Sequence, residues 1–196
     1  APPPTTLTWV VAHGEPRFDP AGPADPVRWV LERLLSEGLV AEDTSGRIIE
    51  GAARRWDVTP DGLTYTFHLR PDARWSDGEL VTAAHFVDAY RRLLTPATAA
   101  PKAAAFFPVK NARGFVAGTI TDFAAVGLQA TTPLTLAVTL EQPTPQFPHY
   151  VASGPWLPVR ADVVAKHGRN WTRPEHFVGN GPFTLSTWTP NARIVV

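Results

Sequence analysis

From Leu63 to Arg70 apolar and polar residues alternate without a break. Leu63, Tyr65, Phe67 and Leu69 fall on one side, Thr64, Thr66, His68 and Arg70 on the other. Successive side chains leave a strand on opposite faces, so this spacing predicts a strand with one buried and one wet face. Such one-faced burial belongs to antiparallel sheets. Trp56-Asp57-Val58 leads into the strand through Thr59-Pro60-Asp61-Gly62, whose proline and glycine suit a type I turn. Leu134, Leu136, Val138 and Leu140 alternate against Thr135, Ala137 and Thr139, which predicts a second amphipathic strand.

Helices are expected around these strands. Asp25-Pro26 reads as a cap followed by a proline at the first helical position. Val27, Val30, Leu31, Leu34 and Leu35 then form one apolar stripe, and Gly38 is expected to end the helix in a left-handed conformation. Thr82 is expected to cap a helix running to about Leu94, stopped by Thr95-Pro96, with Phe86, Val87, Tyr90, Leu93 and Leu94 inward. Shorter helices are expected over 101–107 and 111–117, and from a cap at Asp162 to Gly168. Leu7 to Ala12 reads as a buried strand. Gly179-Asn180-Gly181 reads as a tight turn before two strands, Phe183 to Trp188 and Arg193 to Val196, around Pro190-Asn191. The last of these stops without a closing loop, from which a longer parent chain is expected.

Composition narrows the function. Hydrophobic residues are 44%, enough for a packed core, and the 18 basic residues are balanced by 18 acidic ones. Without a basic excess there is no electrostatic claim on nucleic acid, and no like-charge run suggests a membrane patch. The absence of cysteine excludes a disulfide framework, a thiolate metal site and a cysteine nucleophile. Of the six histidines, His13, His68, His85, His149, His167 and His176, none has zinc-protease spacing. There is no nucleophile elbow and no phosphate loop. Asp61, Asp72 and Asp77 stand beside glycine or proline and read as turn formers, as does Asp122. Most of the seven tryptophans are expected in the core, with one or two available to line a ligand cleft.

Several segments carry a resemblance. Trp56 to Arg70, with its continuation Asp72-Ala73-Arg74-Trp75-Ser76-Asp77-Gly78 and Val81-Thr82-Ala83-Ala84-His85-Phe86-Val87, resembles the signature region of the family 5 bacterial extracellular solute-binding proteins. Glu15 to Pro20, Glu37-Gly38-Leu39, Leu94 to Ala99, Pro143 to Phe147, Trp171 to Pro174 and Val178 to Phe183 agree with that family in order. Its members include oligopeptide-, dipeptide- and murein-peptide-binding proteins.

The resemblance implies a mixed α/β fold of the second periplasmic-binding-protein type, present in part. Residues 1–37 and 161–196 would belong to the lobe that begins the ligand cleft, and 38–160 to a smaller inserted lobe. It implies an extracytoplasmic, non-enzymatic, peptide-capturing component of an ABC importer, compatible with a lipid anchor on the parent. An extended peptide and the membrane permease are the implied partners, no cofactor is implied, and weak or absent peptide binding is expected of the chain by itself. The family's peptide-backbone contact falls on Ala24, Asp25 and Pro26. Here the acidic residue is shifted by one and Pro26 has no N–H to donate. A family tyrosine that reaches the ligand falls on Lys102. For Asp25 the plain helix cap stands beside the ligand role. A stand-alone interaction module built on the same lobe is the alternative function, and exposed strand edges would let such a lobe pair with a copy of itself.

Overall fold

The computed structural model describes residues 8–10, 18–23, 26–189 and 192–196. Its centre is a four-stranded sheet of order β4-β5-β7-β6, formed by β4 (Ala53–Val58), β5 (Thr64–Leu69), β7 (Thr135–Thr139) and β6 (Leu128–Thr132). Every neighbouring pair in it is antiparallel, with Tyr65 opposite Val138 and Phe67 opposite Leu136. The expected inward faces are the observed ones: Tyr65, Phe67 and Leu69 are buried, as are Leu136, Val138 and Leu140. Gly62 closes the turn before β5 at φ +70°, its amide bonded to the Thr59 carbonyl at 2.8 Å.

Helix α2 (Ala83–Leu94) packs against β6 and β7 through Phe86, Val87, Tyr90, Leu93 and Leu94, all buried. Each such side chain contributes about 1.5–3 kcal/mol by leaving water. The Thr82 amide donates to His85 Nδ1 at 3.1 Å, one half of a capping box with histidine in the usual glutamate place. The Thr95 amide and hydroxyl both bond the Arg91 carbonyl, and Pro96 prevents a further turn. Behind α2, Trp156 stacks on Phe106 at 3.9 Å and takes the Tyr90 hydroxyl on its carbonyl at 2.9 Å.

A second sheet has the order β1 (Thr8–Val10), β9 (Arg193–Val195), β8 (Thr187–Thr189), again antiparallel. Helix α1 (Pro26–Leu35) belongs with it, because Phe18, Leu31, Leu35, Leu185, Ile194 and Val196 form one buried cluster. A larger cluster, from Leu39 through Trp171 with Ala21, fills the rest. The first elements of that larger cluster form a hairpin of β2 (Val40–Glu42) and β3 (Ile48–Glu50). Three short helices complete the chain: α3 (Ala112–Val116), α4 (Phe147–Val151) and α5 (Ala161–His167).

Some expectations need correction. The hairpin and β6 were not foreseen. The strand expected over Phe183–Trp188 is reduced to Thr187–Thr189. Of the helix expected over 101–107, a 3-10 turn at Ala103–Phe106 forms. Asp162 is not the cap of α5. It is the second helical residue, and its carboxylate is taken by Arg160. The turn at Pro190-Asn191 lies outside the described residues.

Candidate functional site

Among the stretches of chain that connect the two clusters, two run side by side. One leaves α1 at residues 36–38; the other returns at 179–183. The Gly181 amide bonds the Leu35 carbonyl and the Phe183 amide bonds the Leu34 carbonyl, both at 3.0 Å. The Asn180 side chain then accepts from the Glu37 amide at 3.0 Å and donates to the Glu37 carbonyl at 2.9 Å. A Cβ on Gly179 would stand 2.1 Å from the Leu35 carbonyl oxygen, and one on Gly181 would stand 2.5 Å from Ser36 N. Gly179-Asn180-Gly181 is therefore a close crossing of two segments and not the plain tight turn expected. The same contacts correct the reading of Gly38, which has no positive φ and does not end α1. The last carbonyls of α1 are satisfied instead by the returning segment.

Glu37 projects from this crossing. Its Oε2 meets Arg70 Nη2 at 2.8 Å. Burial raises its carboxyl above the ordinary range, with the Arg70 charge opposing that rise. A cavity of about 210 Å³ opens beside it, lined by Arg33, Gly38, Ala152, Leu157 and Pro182 among others.

The expected ligand residues are only partly described. Ala24 and Asp25 lie outside the described residues, so neither the cap nor the ligand role of Asp25 is visible. Pro26 is the first residue of α1. The loop before it is fixed by Asp19, whose two oxygens bond Arg92 at 2.9 and 2.5 Å. Asp19 also holds the loop's own turn, accepting the Ala21 amide at 3.0 Å. Arg92 stands in the last turn of α2, and its carbonyl accepts the Thr98 hydroxyl at 2.6 Å. Ala99 follows at φ +47°, and Lys102 immediately precedes the 3-10 turn whose Phe106 stacks on Trp156. Arg92 is thus the common anchor of the segments that carry Pro26 and Lys102. Beside it is a cavity of about 270 Å³ lined by Asp19, Val164, Arg169, Trp171 and Thr172. Trp171 lines this cavity, with Arg92 over its ring at 6.0 Å.

Sequence reasoning missed a charged hub. The Arg160 side chain is 7% exposed and bonds Asp77 at 2.9 Å, Glu79 at 2.7 Å and Asp162 at 2.7 Å. Its guanidinium lies over Trp75 at 5.7 Å. Trp75 Nε1 donates to His85 Nδ1 at 3.0 Å, which puts the proton of neutral His85 on Nε2, 3.4 Å from Glu79. Hydrogen bonding from Arg160 lowers the Asp162 pKa, and burial, with the Arg160 charge, lowers that of His85. Asp77 is also the turn former expected, accepting the Glu79 amide at 3.1 Å. Nothing in the sequence announces its second partner, since Arg160 stands 83 positions away. The three carboxylates share one cation, and the hub ties together the loops that carry them. Among the described residues no group of three or more His, Cys, Asp or Glu side chains is arranged to hold a metal ion.

Comparison with known proteins places this geometry. Residues 47–196 match the family described as bacterial extracellular solute-binding proteins, family 5 Middle. The chain is 43% identical over 162 residues to the probable deoxycholate-binding periplasmic protein YgiS of Escherichia coli K12, covering 82% of this chain and 30% of that one. It is 41% identical over 162 residues to the periplasmic oligopeptide-binding protein OppA of Haemophilus influenzae, with the same coverage of 82% and 30%. Among solved structures, OppA of Burkholderia pseudomallei superposes with a TM-score of 0.88 at 40% identity, over 94% of this chain and 36% of its own. The murein tripeptide-binding protein MppA of Escherichia coli gives a TM-score of 0.87 at 34% identity, covering 92% and 36%. The chain spans about a third of the length of these relatives.

Proposed function

The chain belongs to the family 5 bacterial extracellular solute-binding proteins, and from that premise we propose that it builds one side of the ligand cleft in the peptide-capturing component of an ABC importer. Its fold is part of the second periplasmic-binding-protein type. In this reading residues 1–37 and 161–196 contribute to the lobe that begins the cleft, and 38–160 form the inserted lobe. The crossing at Glu37 and Asn180 carries the proposal, because the chain passes there in both directions between its two cores. The cleft-facing segments are those that carry Ala24, Asp25, Pro26 and Lys102, held from behind by Arg92. A peptide would lie extended against them, and the opposite wall would come from further chain, as would the permease contact.

Two features favour a second ligand class, a carboxylate-bearing amphipath. Pro26 offers no N–H to a peptide backbone, and Lys102 places a cation where the resemblance expects a tyrosine. The relative at 43% identity carries a bile acid in its name.

Chemical-shift mapping on the labelled chain tests both. Adding a tripeptide is expected to give small, weakly saturating shifts confined to residues 22–27 and 99–106, and deoxycholate is the competing probe. Shifts centred elsewhere, or none with either probe, would remove the proposal. Micromolar peptide binding by the chain itself would mean that the opposite wall is unnecessary, which favours a stand-alone module.

A further inference from the structure

We propose that His85 is an acid-sensitive pin on the crossing between the two cores: while neutral it holds the turn of Trp75 and Ser76 to the start of α2, and its protonation lets that turn go. One ring nitrogen makes both attachments. His85 Nδ1 accepts from Trp75 Nε1 at 3.0 Å and from the Thr82 amide at 3.1 Å. Trp75 is buried, and its ring stands nearly perpendicular to the imidazole, with centroids 5.5 Å apart. The next residue, Ser76, reaches the crossing. Its amide donates to the Gly179 carbonyl at 2.8 Å, and its Oγ accepts from the Gly179 amide at 3.3 Å. The path from His85 to the returning segment therefore runs through two adjacent residues, Trp75 and Ser76.

Only an unprotonated Nδ1 can serve these two donors. The neutral ring keeps its proton on Nε2, where Glu79 stands 3.4 Å away. An imidazolium carries a proton on both nitrogens. Nδ1–H would then face two N–H groups, and turning the ring over would present Nε2–H to them instead. Neither orientation leaves an acceptor for Trp75 or Thr82. The glutamate or glutamine of an ordinary capping box keeps its acceptor through this pH range, so the histidine is what makes the cap titratable.

The surroundings favour the neutral ring. Burial is the largest influence and the Arg160 charge the next, and together they lower the His85 pKa below its ordinary 6.5 against the pull of Glu79, Asp162 and Asp88. Arg160 and Asp162 come from the start of α5, Glu79 from the turn, and Asp88 from one turn along α2 itself. Asp77, on the same turn as Glu79, is bonded to Arg160, as are Glu79 and Asp162, so one cation already opposes all three. The loop Thr132-Pro133-Leu134, whose Pro133 carbonyl takes the Ala83 amide at 2.9 Å, brings no charge. The positive end of α2 also disfavours a cation in its first turn. The folded chain therefore binds this proton less readily than the unfolded chain. The stabilisation from the pin is complete above the unfolded pKa and is lost as pH falls through the lower folded value.

Nitrogen-15 NMR of the labelled chain tests this. In the neutral form His85 is expected to carry its proton on Nε2, and its titration midpoint is expected below 6.5. On the acid side of that midpoint, hydrogen-exchange protection at Trp75 Nε1 and at the Ser76, Thr82 and Gly179 amides should fall at least about tenfold. His85→Gln supplies a neutral acceptor that does not titrate, so it should keep the protection at neutral pH and remove the acid-side fall. His167 is the control, because its pKa is also lowered, by burial first and then by His176 and Lys166. His167→Gln should leave the fall at those four groups intact. A proton on Nδ1 of the neutral ring, or a midpoint at or above 6.5, would overturn the proposal, and both are read on the unsubstituted chain. So would an acid-side fall that persists in His85→Gln or disappears in His167→Gln.

Discussion

Asn180 holds Glu37 by both ends of its amide, accepting from the Glu37 N–H at 3.0 Å and donating to the Glu37 carbonyl at 2.9 Å, across 143 residues of sequence. One side chain thereby does what a neighbouring strand would do. It satisfies two backbone groups at the point where the chain crosses between its cores, where neither connection has a sheet of its own.

Asn180→Ala removes both bonds and leaves the Glu37 backbone groups without partners. Each unsatisfied buried group costs about 1–3 kcal/mol, and because both bonds are only part-buried the loss should fall in the lower part of that sum, about 2–4 kcal/mol in chemical denaturation. Asn180→Asp keeps the acceptor, loses the donor and sets a second carboxylate beside Glu37. It should be worse than alanine at neutral pH and closer to it below the pKa of the new carboxyl, whereas alanine shows no such pH dependence.

Gly181→Ala tests the crossing by volume. The added methyl would sit 2.5 Å from Ser36 N and from the Leu35 carbonyl carbon, both backbone, so the segments must separate. A loss of about 2 kcal/mol or more is expected, with faster amide exchange at Gly181 and Phe183. Gly114→Ala is a fair comparison, because its Cβ meets the side chain of Ile120 at 2.9 Å and a side chain can yield. Its cost should be smaller.

The central sheet was legible because burial writes a period into the sequence. Leu136 and Val138 alternate with Thr135, Ala137 and Thr139 because one face of β7 is in the core. β6 was not legible, since four of its five residues face solvent and nothing forces an alternation on them. The β2–β3 hairpin was too short to show a period. Gly179-Asn180-Gly181 was misread for a different reason. Glycine permits both a turn and a close approach, and the Leu35 carbonyl it approaches is far away in sequence. The Arg160 hub was invisible on the same ground, as ion pairs over long separations leave no local signature.

Arg160→Met deletes the cation that the hub shares and leaves Asp77, Glu79 and Asp162 close together. Breaking a fully buried pair costs about 3–5 kcal/mol. These carboxylates remain half-exposed, so a loss of about 2–3 kcal/mol is expected, reduced by salt because like-charge repulsion is screened. The Asp162 carboxyl, now held low by the Arg160 hydrogen bond, should titrate higher in the variant when followed by NMR. An unchanged midpoint would show that Arg160 does not hold it.

Asp43 offers the sharpest pH dependence. It opens the β2–β3 hairpin's turn, where Oδ1 accepts from the Ser45 hydroxyl at 2.7 Å and the Ser45 and Arg47 amides at 2.8 and 3.0 Å, and Oδ2 accepts from Arg47 Nε at 2.9 Å. The Ser45 hydroxyl bond is the largest cause of a carboxyl lowered to about 2 from an ordinary 3.8. All four bonds are stronger to the ionised acceptor, so the folded hairpin binds this proton less readily than the unfolded chain does. The stabilisation is therefore fully present above the unfolded pKa and is lost as pH falls through about 2. Carbon-detected titration of the Asp43 carboxyl should show a midpoint near 2, accompanied by faster exchange at Ser45 and Arg47 on the acid side. Asp43→Asn retains a neutral acceptor and should abolish that acid transition while the hairpin persists at neutral pH. A midpoint near 3.8 in the unsubstituted chain would mean that the turn does not hold the charged form.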